Sequence, residues 1–143
     1  MTTTRTATRT AVPGAAARTG SLIWTGVAAA AVASGATTIV AAAGHAAGIS
    51  LDMGGAPIPV LGFAMLTVVF SLFGLALAAV LSRTARHPHR TFIRTTVVLT
   101  AVSLVPDVLA DATSTTRALL MVTHLVAAAI VIPSVARRLS VCS

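Results

Sequence analysis

Four long apolar runs constrain the fold of this chain more than any other feature of its sequence. The first two runs, at positions 22–43 and 60–81, each have 22 residues and contain no charged side chain. A helix needs about 20 apolar residues to cross the hydrocarbon core of a bilayer. Backbone groups in hydrocarbon must be hydrogen-bonded within their own segment, and these runs lack the alternation of a membrane β-barrel. The sequence therefore predicts transmembrane α-helices.

The third and fourth runs are shorter and contain ionisable residues. We predict the third span at residues 92–110, with Asp107 near its end. We predict the fourth span at residues 118–135, with His124 inside it. The predicted fold class is all-α, a four-helix transmembrane bundle formed by residues 21–139.

Composition agrees with this fold, because 56% of the residues are hydrophobic and only 9% are charged. A soluble domain carries about 25% charged residues, so this chain has too few to cover a water-exposed surface. Residues 1–20 are rich in Thr, Ala and Arg without any acidic residue, and we predict a disordered cytoplasmic tail there. Cleavage of the first run as a signal peptide is the competing interpretation. Signal peptides have shorter apolar cores of about 7–15 residues, which favours an uncleaved span.

The arginines predict the orientation of the bundle. With four spans, nine of the ten arginines fall on one side, and Arg117 lies with the three aspartates on the other. The positive-inside rule therefore places both termini and the loop after the second span in the cytoplasm, N-in and C-in. The predicted topology determinants, which we expect to contact anionic headgroups at the cytoplasmic face, are Arg83, Arg86, Arg90, Arg94, Arg137 and Arg138.

Asp107 and His124 are the candidate polar centre. Each lies 13 residues from an arginine on the cytoplasmic side, Arg94 and Arg137 respectively. At 1.5 Å per residue, both side chains sit about 20 Å from the inner boundary. A short turn joins the third and fourth spans, so these helices are expected to be antiparallel neighbours on which Asp107 and His124 can meet. Ionisable groups at such depth are costly and often functional.

Three interpretations of this centre remain open. The pair can move a proton or bind a polar ligand, it can link two helices by a hydrogen bond, or Asp107 can lie in the headgroup region after a helix that ends at Pro106. Ser103 is the third candidate member. Its hydroxyl is expected to satisfy the Val102 carbonyl, which Pro106 leaves without a donor.

Other kinds of site have little support in the sequence. The single cysteine, Cys142, excludes an internal disulfide or a CxxC dithiol. His45 and Asp52 could join His124 as metal ligands, but no HExxH, P-loop or GxSxG motif is present. The net charge of +7 comes from clusters between apolar runs rather than from a basic face on a folded module. We therefore predict no cofactor, no metal, no enzymatic activity and no nucleic-acid partner.

Part of the chain resembles a known family. The features are the second span GFAMLTVVFSLFGLALAAVL, the segment SLVPD at 103–107, and THLVAAAIVIPSVARR at 123–138. Over residues 61–139 the chain is similar to small four-pass membrane proteins of unknown function found mainly in actinobacteria. The resemblance implies a four-helix membrane fold and supplies no activity.

Three function hypotheses follow, of which the third and least favoured is a membrane enzyme. The first is a non-enzymatic, multi-pass component of a bacterial plasma membrane or cell envelope, which acts by packing as a homo-oligomer or with a membrane partner. The second is a small permease or sensor that uses Asp107 and His124. Convergence of the two side chains on a water-accessible cavity favours the second hypothesis, whereas separated side chains favour the first.

Overall fold

The computed structural model describes residues 15–141, and their side chains from residue 20 to residue 140. Within that range the chain forms four α-helices and one short hairpin: α1 Ala15–Ala46, β1 Asp52–Met53, β2 Ala56–Pro57, α2 Val60–Thr84, α3 Pro88–Leu109 and α4 Ser114–Val141. Each helix is long and apolar enough to cross a membrane. The predicted four-helix transmembrane fold is therefore confirmed.

The helices extend beyond the apolar runs that predicted them. α1 begins at Ala15, so residues 15–20 are helical rather than part of a tail, while residues 1–14 lie outside the described range. Hydrophobicity marks only the part of a helix that lies in hydrocarbon, and alanine favours continuation of the helix. α3 begins at Pro88, because proline suits the first turn of a helix. α4 begins after Thr113, whose side-chain oxygen accepts a hydrogen bond from the Thr116 amide at 3.2 Å.

The connection between α1 and α2 contains the hairpin. Met53 pairs with Ala56 in antiparallel register. Gly54 and Gly55 have φ angles of +58° and +79°, which a two-residue turn of this kind requires and which glycine adopts without strain. The Gly54 amide donates to the Asp111 carbonyl at 2.8 Å, so the hairpin packs on the α3–α4 connection. We call this side of the bundle the hairpin end, and the side with the start of α1, the α2–α3 connection and the end of α4 the termini end.

Consecutive helices are antiparallel, and α1 packs along both α2 and α4. Two glycines of α1 allow the neighbouring helices to approach it closely. A Cβ atom on Gly26 would lie 2.5 Å from Leu75 Cδ1, and one on Gly44 would lie 2.7 Å from Leu119 Cδ2. Small residues permit this approach in membranes, where van der Waals packing holds helices together.

Most of the buried apolar residues form two clusters, one at each end of the bundle. The termini-end cluster consists of Leu22, Ala33, Leu75, Ala78, Phe92, Val131, Val135, Ala136 and Leu139. The hairpin-end cluster consists of Ala41, Leu51, Phe63, Leu119 and Leu120. α3 contributes Phe92 to the first cluster and no residue to the second. The third helix is therefore attached to the apolar core at only one of its ends.

Candidate functional site

Asp107 is the buried residue of α3 nearest the hairpin end. The other buried residues of this helix, Pro88, Phe92 and Thr96, lie in its first half. Pro106 lies inside α3, and the helix continues past it to Leu109. Asp107 is therefore on a helix within a candidate span rather than beyond a helix that ends at Pro106.

His124 of α4 meets Asp107 across the α3–α4 interface. Its Nδ1 atom lies 2.7 Å from Asp107 Oδ2 and 3.2 Å from the carbonyl oxygen of Leu120. Asp107 Oδ2 nevertheless makes no hydrogen bond of good geometry in the described structure. The short distance between Nδ1 and Oδ2 defines a polar contact, which is an ion pair when His124 is protonated. The expected meeting of these two residues is thus found.

The two members of this ion pair differ in exposure. The His124 side chain is 33% exposed, whereas that of Asp107 is 9% exposed. Since Nδ1 faces Asp107, Nε2 is the ring nitrogen of His124 that remains for other partners. The imidazole can therefore be reached from outside the bundle, and the carboxylate lies behind it.

Ser103 does not join the pair. Its hydroxyl donates to the Thr100 carbonyl at 2.7 Å, which corrects the expectation that it bonds to Val102. A serine in a helix reaches the carbonyl three or four residues back, and the carbonyl directly before it is out of reach. Ser103 therefore bonds within α3, and the polar centre comprises Asp107 and His124.

An open apolar groove of about 510 Å³ lies between α3 and α4. Its lining is Val97, Thr100, Ala101, Leu104, Leu125, Ala128, Ala129, Ile132 and Pro133. Leu104 is three residues before Asp107 and Ala128 is four residues after His124, so the groove starts one helical turn from the ion pair. The pair therefore borders an apolar surface groove and does not line it.

Hydroxyl groups link α1 to α2, and sequence reasoning missed this contact. The Thr37 and Thr67 hydroxyls lie 3.0 Å apart, and the Ser34 hydroxyl donates to the Ala64 carbonyl at 3.4 Å. Thr37 is buried. The only signal in the sequence was the three- and four-residue spacing of Ser34, Thr37 and Thr38, which is common in alanine-rich helices.

His45 and Asp52 lie on the hairpin end, apart from His124. They line a pocket of about 360 Å³ with Ser50 and neighbouring apolar residues. Across residues 15–141, no three side chains of the metal-binding types come together. The Ser50 carbonyl accepts a hydrogen bond from the Thr116 hydroxyl, which joins this loop to α4.

Arg117, like the hydroxyl contact between α1 and α2, was not assigned to a site from the sequence. It is partly buried in the first turn of α4, and its Nε atom is buried without a hydrogen-bond partner. In contrast, the six predicted topology determinants are all exposed and lie at the termini end. One of them, Arg138, donates from Nε to Thr25 Oγ1 at 2.9 Å and so joins the end of α4 to α1.

A family model described as a family of unknown function, DUF6069, matches residues 17–141. This match covers most of the chain, which therefore belongs to the family. No curated protein and no solved structure matches. The resemblance to a family of unknown function over residues 61–139 is thus confirmed, and the match also includes α1.

Proposed function

We propose that this member of the DUF6069 family is a non-enzymatic, multi-pass component of a bacterial plasma membrane or cell envelope, which acts through helix contacts. The proposal rests on polar side chains that contact each other between neighbouring helices. Asp107 and His124 contact each other at 2.7 Å, and Thr37 contacts Thr67. Contacts of this kind link helices in membranes. Such a bundle can present its lipid-facing surfaces to a second copy or to a membrane partner.

The proposed orientation is N-in and C-in. Its support is the location of the six exposed arginines at the termini end, next to the ends of α2 and α4 and the start of α3. Arginines near span ends are retained on the cytoplasmic side and attract anionic lipids there. The use of arginine without lysine supports a GC-rich bacterial source such as an actinobacterium.

A small sensor or permease is the second candidate function. The observation that favours it is the unequal exposure of the ion pair, with His124 at 33% and Asp107 at 9%. An imidazole can both accept and donate a proton, so one that is reachable from one side can pass a proton to or from a buried carboxylate. The apolar groove beside the pair favours the first proposal, because it offers no polar path through the bundle.

Three variants separate the two functions: Asp107→Asn, His124→Gln and the double variant. Each is expressed in a host that lacks the native gene, and growth in acidic and alkaline media is measured together with proton flux in reconstituted vesicles. The packing proposal predicts wild-type growth and flux whenever the folded amount is unchanged. Ser103→Ala is the control, since its hydroxyl bonds only within α3.

Loss of flux or of the pH response in Asp107→Asn, at a wild-type amount of folded protein, contradicts the packing proposal and supports the sensor or permease. Enzymatic turnover that depends on the pair would contradict both.

A further inference from the structure

Arg117 is the exception to the charge distribution of this chain, and no acidic side chain of the described residues forms an ion pair with it. Within residues 15–141 it is the one arginine at the hairpin end, and its Nε atom is buried without a hydrogen bond. The ion pair found within residues 15–141 joins Asp107 to His124 and does not involve Arg117. The residue as a whole is only partly buried, and a guanidinium group without a counter-charge can bind an anion through charge-assisted hydrogen bonds. The missing counter-charge can come from a molecule outside the chain.

Arg117, His124 and Ala128 lie along one stripe of α4. They are spaced by seven and four residues, so they share a helix face. The stripe begins with a guanidinium group, continues with the ion pair, and ends in the apolar groove, which reaches Pro133. From Arg117 to Pro133, α4 rises about 24 Å at 1.5 Å per residue. One leaflet of a bilayer measures roughly 20–22 Å, half of its total thickness.

We propose that this face of α3 and α4 binds one anionic phospholipid from the leaflet at the hairpin end. The lipid phosphate contacts Arg117, the ester region lies beside His124, and one acyl chain fills the groove. The planar guanidinium group suits a phosphate, with which it can form two parallel hydrogen bonds. The His124 side chain is 33% exposed and that of Asp107 is 9% exposed, so the imidazole rather than the carboxylate meets the lipid. The orientation proposed above makes this the outer leaflet, but binding itself does not depend on that orientation.

The guanidinium group, the ion pair and the apolar groove follow one another along α4, and this order favours a lipid over other occupants. A free phosphate would satisfy Arg117 and leave the groove of about 510 Å³ unused. A second copy of the chain could fill the groove, but it would also have to bring a negative charge to Arg117. An anionic phospholipid supplies both parts in one molecule, at the separation that the bilayer itself imposes.

The test uses the full chain in nanodiscs that contain phosphatidylcholine and phosphatidylglycerol with identical acyl chains. Native mass spectrometry then measures which lipids stay bound. The binding variants are Arg117→Gln, which removes the cation, and Ala129→Trp, which fills the groove. The matched controls are Ser114→Gln, at an exposed position in the first turn of α4, and Ala31→Trp, on an exposed face of α1.

We expect Arg117→Gln to lower the preference for phosphatidylglycerol about tenfold, which corresponds to one charged hydrogen bond. Ala129→Trp is expected to lower the retention of both lipids, and both controls are expected to match the wild type. Arg117→Lys keeps the charge, so it should retain part of the preference if Arg117→Gln does not fold.

Three results would overturn the proposal. In the first, both binding variants retain phosphatidylglycerol as the controls do. In the second, inorganic phosphate displaces phosphatidylglycerol while Ala129→Trp has no effect, which indicates a site for a free anion. In the third, Ala129→Trp abolishes a dimer that forms without lipid, which identifies a second copy as the occupant.

Discussion

The two ends of α3 are attached to the bundle by different interactions. At the termini end, Phe92 is fully buried among apolar side chains from the other three helices. At the hairpin end, α3 adds nothing to the apolar cluster, and its buried residue is Asp107, which contacts His124. One helix is thus held by close packing at one end and by an ion pair at the other.

This difference shows how a small membrane bundle divides stability and binding between its ends. Lipid tails are as apolar as the helices, so only close packing or polar contacts favour helix association. The termini end uses close packing around Phe92 and carries the exposed arginines. The hairpin end has the smaller apolar cluster and contains the partly buried Arg117, and the groove begins one helical turn from its ion pair and extends toward the termini end. We therefore expect changes at the termini end to affect folding and changes at the hairpin end to affect binding.

The largest effect is expected at Phe92. Phe92→Ala opens a cavity at the termini end and should lower the free energy of unfolding by about 3 kcal/mol, the lower end of the range for buried aromatic residues. The lower end applies because a bilayer removes the transfer term and leaves the packing term. Reversible unfolding in bicelles provides the measurement. Phe73→Ala is the control, since Phe73 is 67% exposed, and an equal loss there would contradict the contrast between core and surface.

A smaller loss is expected where α1 approaches α2. Gly26→Val places a side chain where a Cβ atom would lie 2.5 Å from Leu75, and we expect a loss of about 1–3 kcal/mol from overpacking. Gly35→Val is the control, because nothing lies within 4 Å of a Cβ atom at Gly35. The same bicelle assay measures both variants. If Gly26→Val and Gly35→Val lose equal stability, the loss is caused by helix propensity and not by the α1–α2 contact.

The ion pair at the hairpin end should show a coupling energy. In a double-mutant cycle of Asp107→Asn and His124→Gln, we expect about 0.6–1.7 kcal/mol of coupling, the range for polar contacts between membrane helices. The cycle of Asp107→Asn with Ser103→Ala should be additive, because Ser103 bonds to Thr100 within α3. Additivity of the first cycle would mean that the 2.7 Å contact does not stabilise the α3–α4 interface.

The smallest effect is expected for the hydroxyl contact between α1 and α2. Thr37→Val removes the partner of Thr67 and should cost about 0.6 kcal/mol. Thr38→Val should cost less, because the Thr38 hydroxyl bonds to the Ser34 carbonyl of its own helix. A larger loss at Thr38 than at Thr37 would show that bonds within a helix matter more here than bonds between helices.

The sequence predicted the features that depend on length and order along the chain. Apolar runs of 22 residues fix the number of spans, and a short turn after α3 makes Asp107 and His124 neighbours at equal depth. The helix ends were predicted less well. α1 starts at Ala15 and α3 at Pro88, because helices continue past the hydrocarbon boundary, where hydrophobicity no longer marks them.

Contacts that depend on helix rotation could not be predicted. In a chain rich in alanine and glycine, nothing distinguishes Gly26, which faces Leu75, from Gly35, which faces open space. The role of Ser103 was misjudged because the sequence does not tell which carbonyl its hydroxyl selects. Arg117 was counted as a topology exception, since only the folded chain reveals that its Nε atom is buried without a partner.

The central claim is a four-pass bundle with the termini end in the cytoplasm, and cysteine labelling tests it most directly. In a Cys142→Ser background, a single cysteine replaces either Met53 in the hairpin or Ser82 near the end of α2, both of which are exposed. A maleimide that cannot cross membranes is applied to intact cells and then to lysed cells. We predict labelling of the Met53→Cys variant from outside, and of the Ser82→Cys variant only after lysis. Labelling of the Ser82→Cys variant in intact cells would contradict the orientation, and labelling of both from outside would contradict four spans.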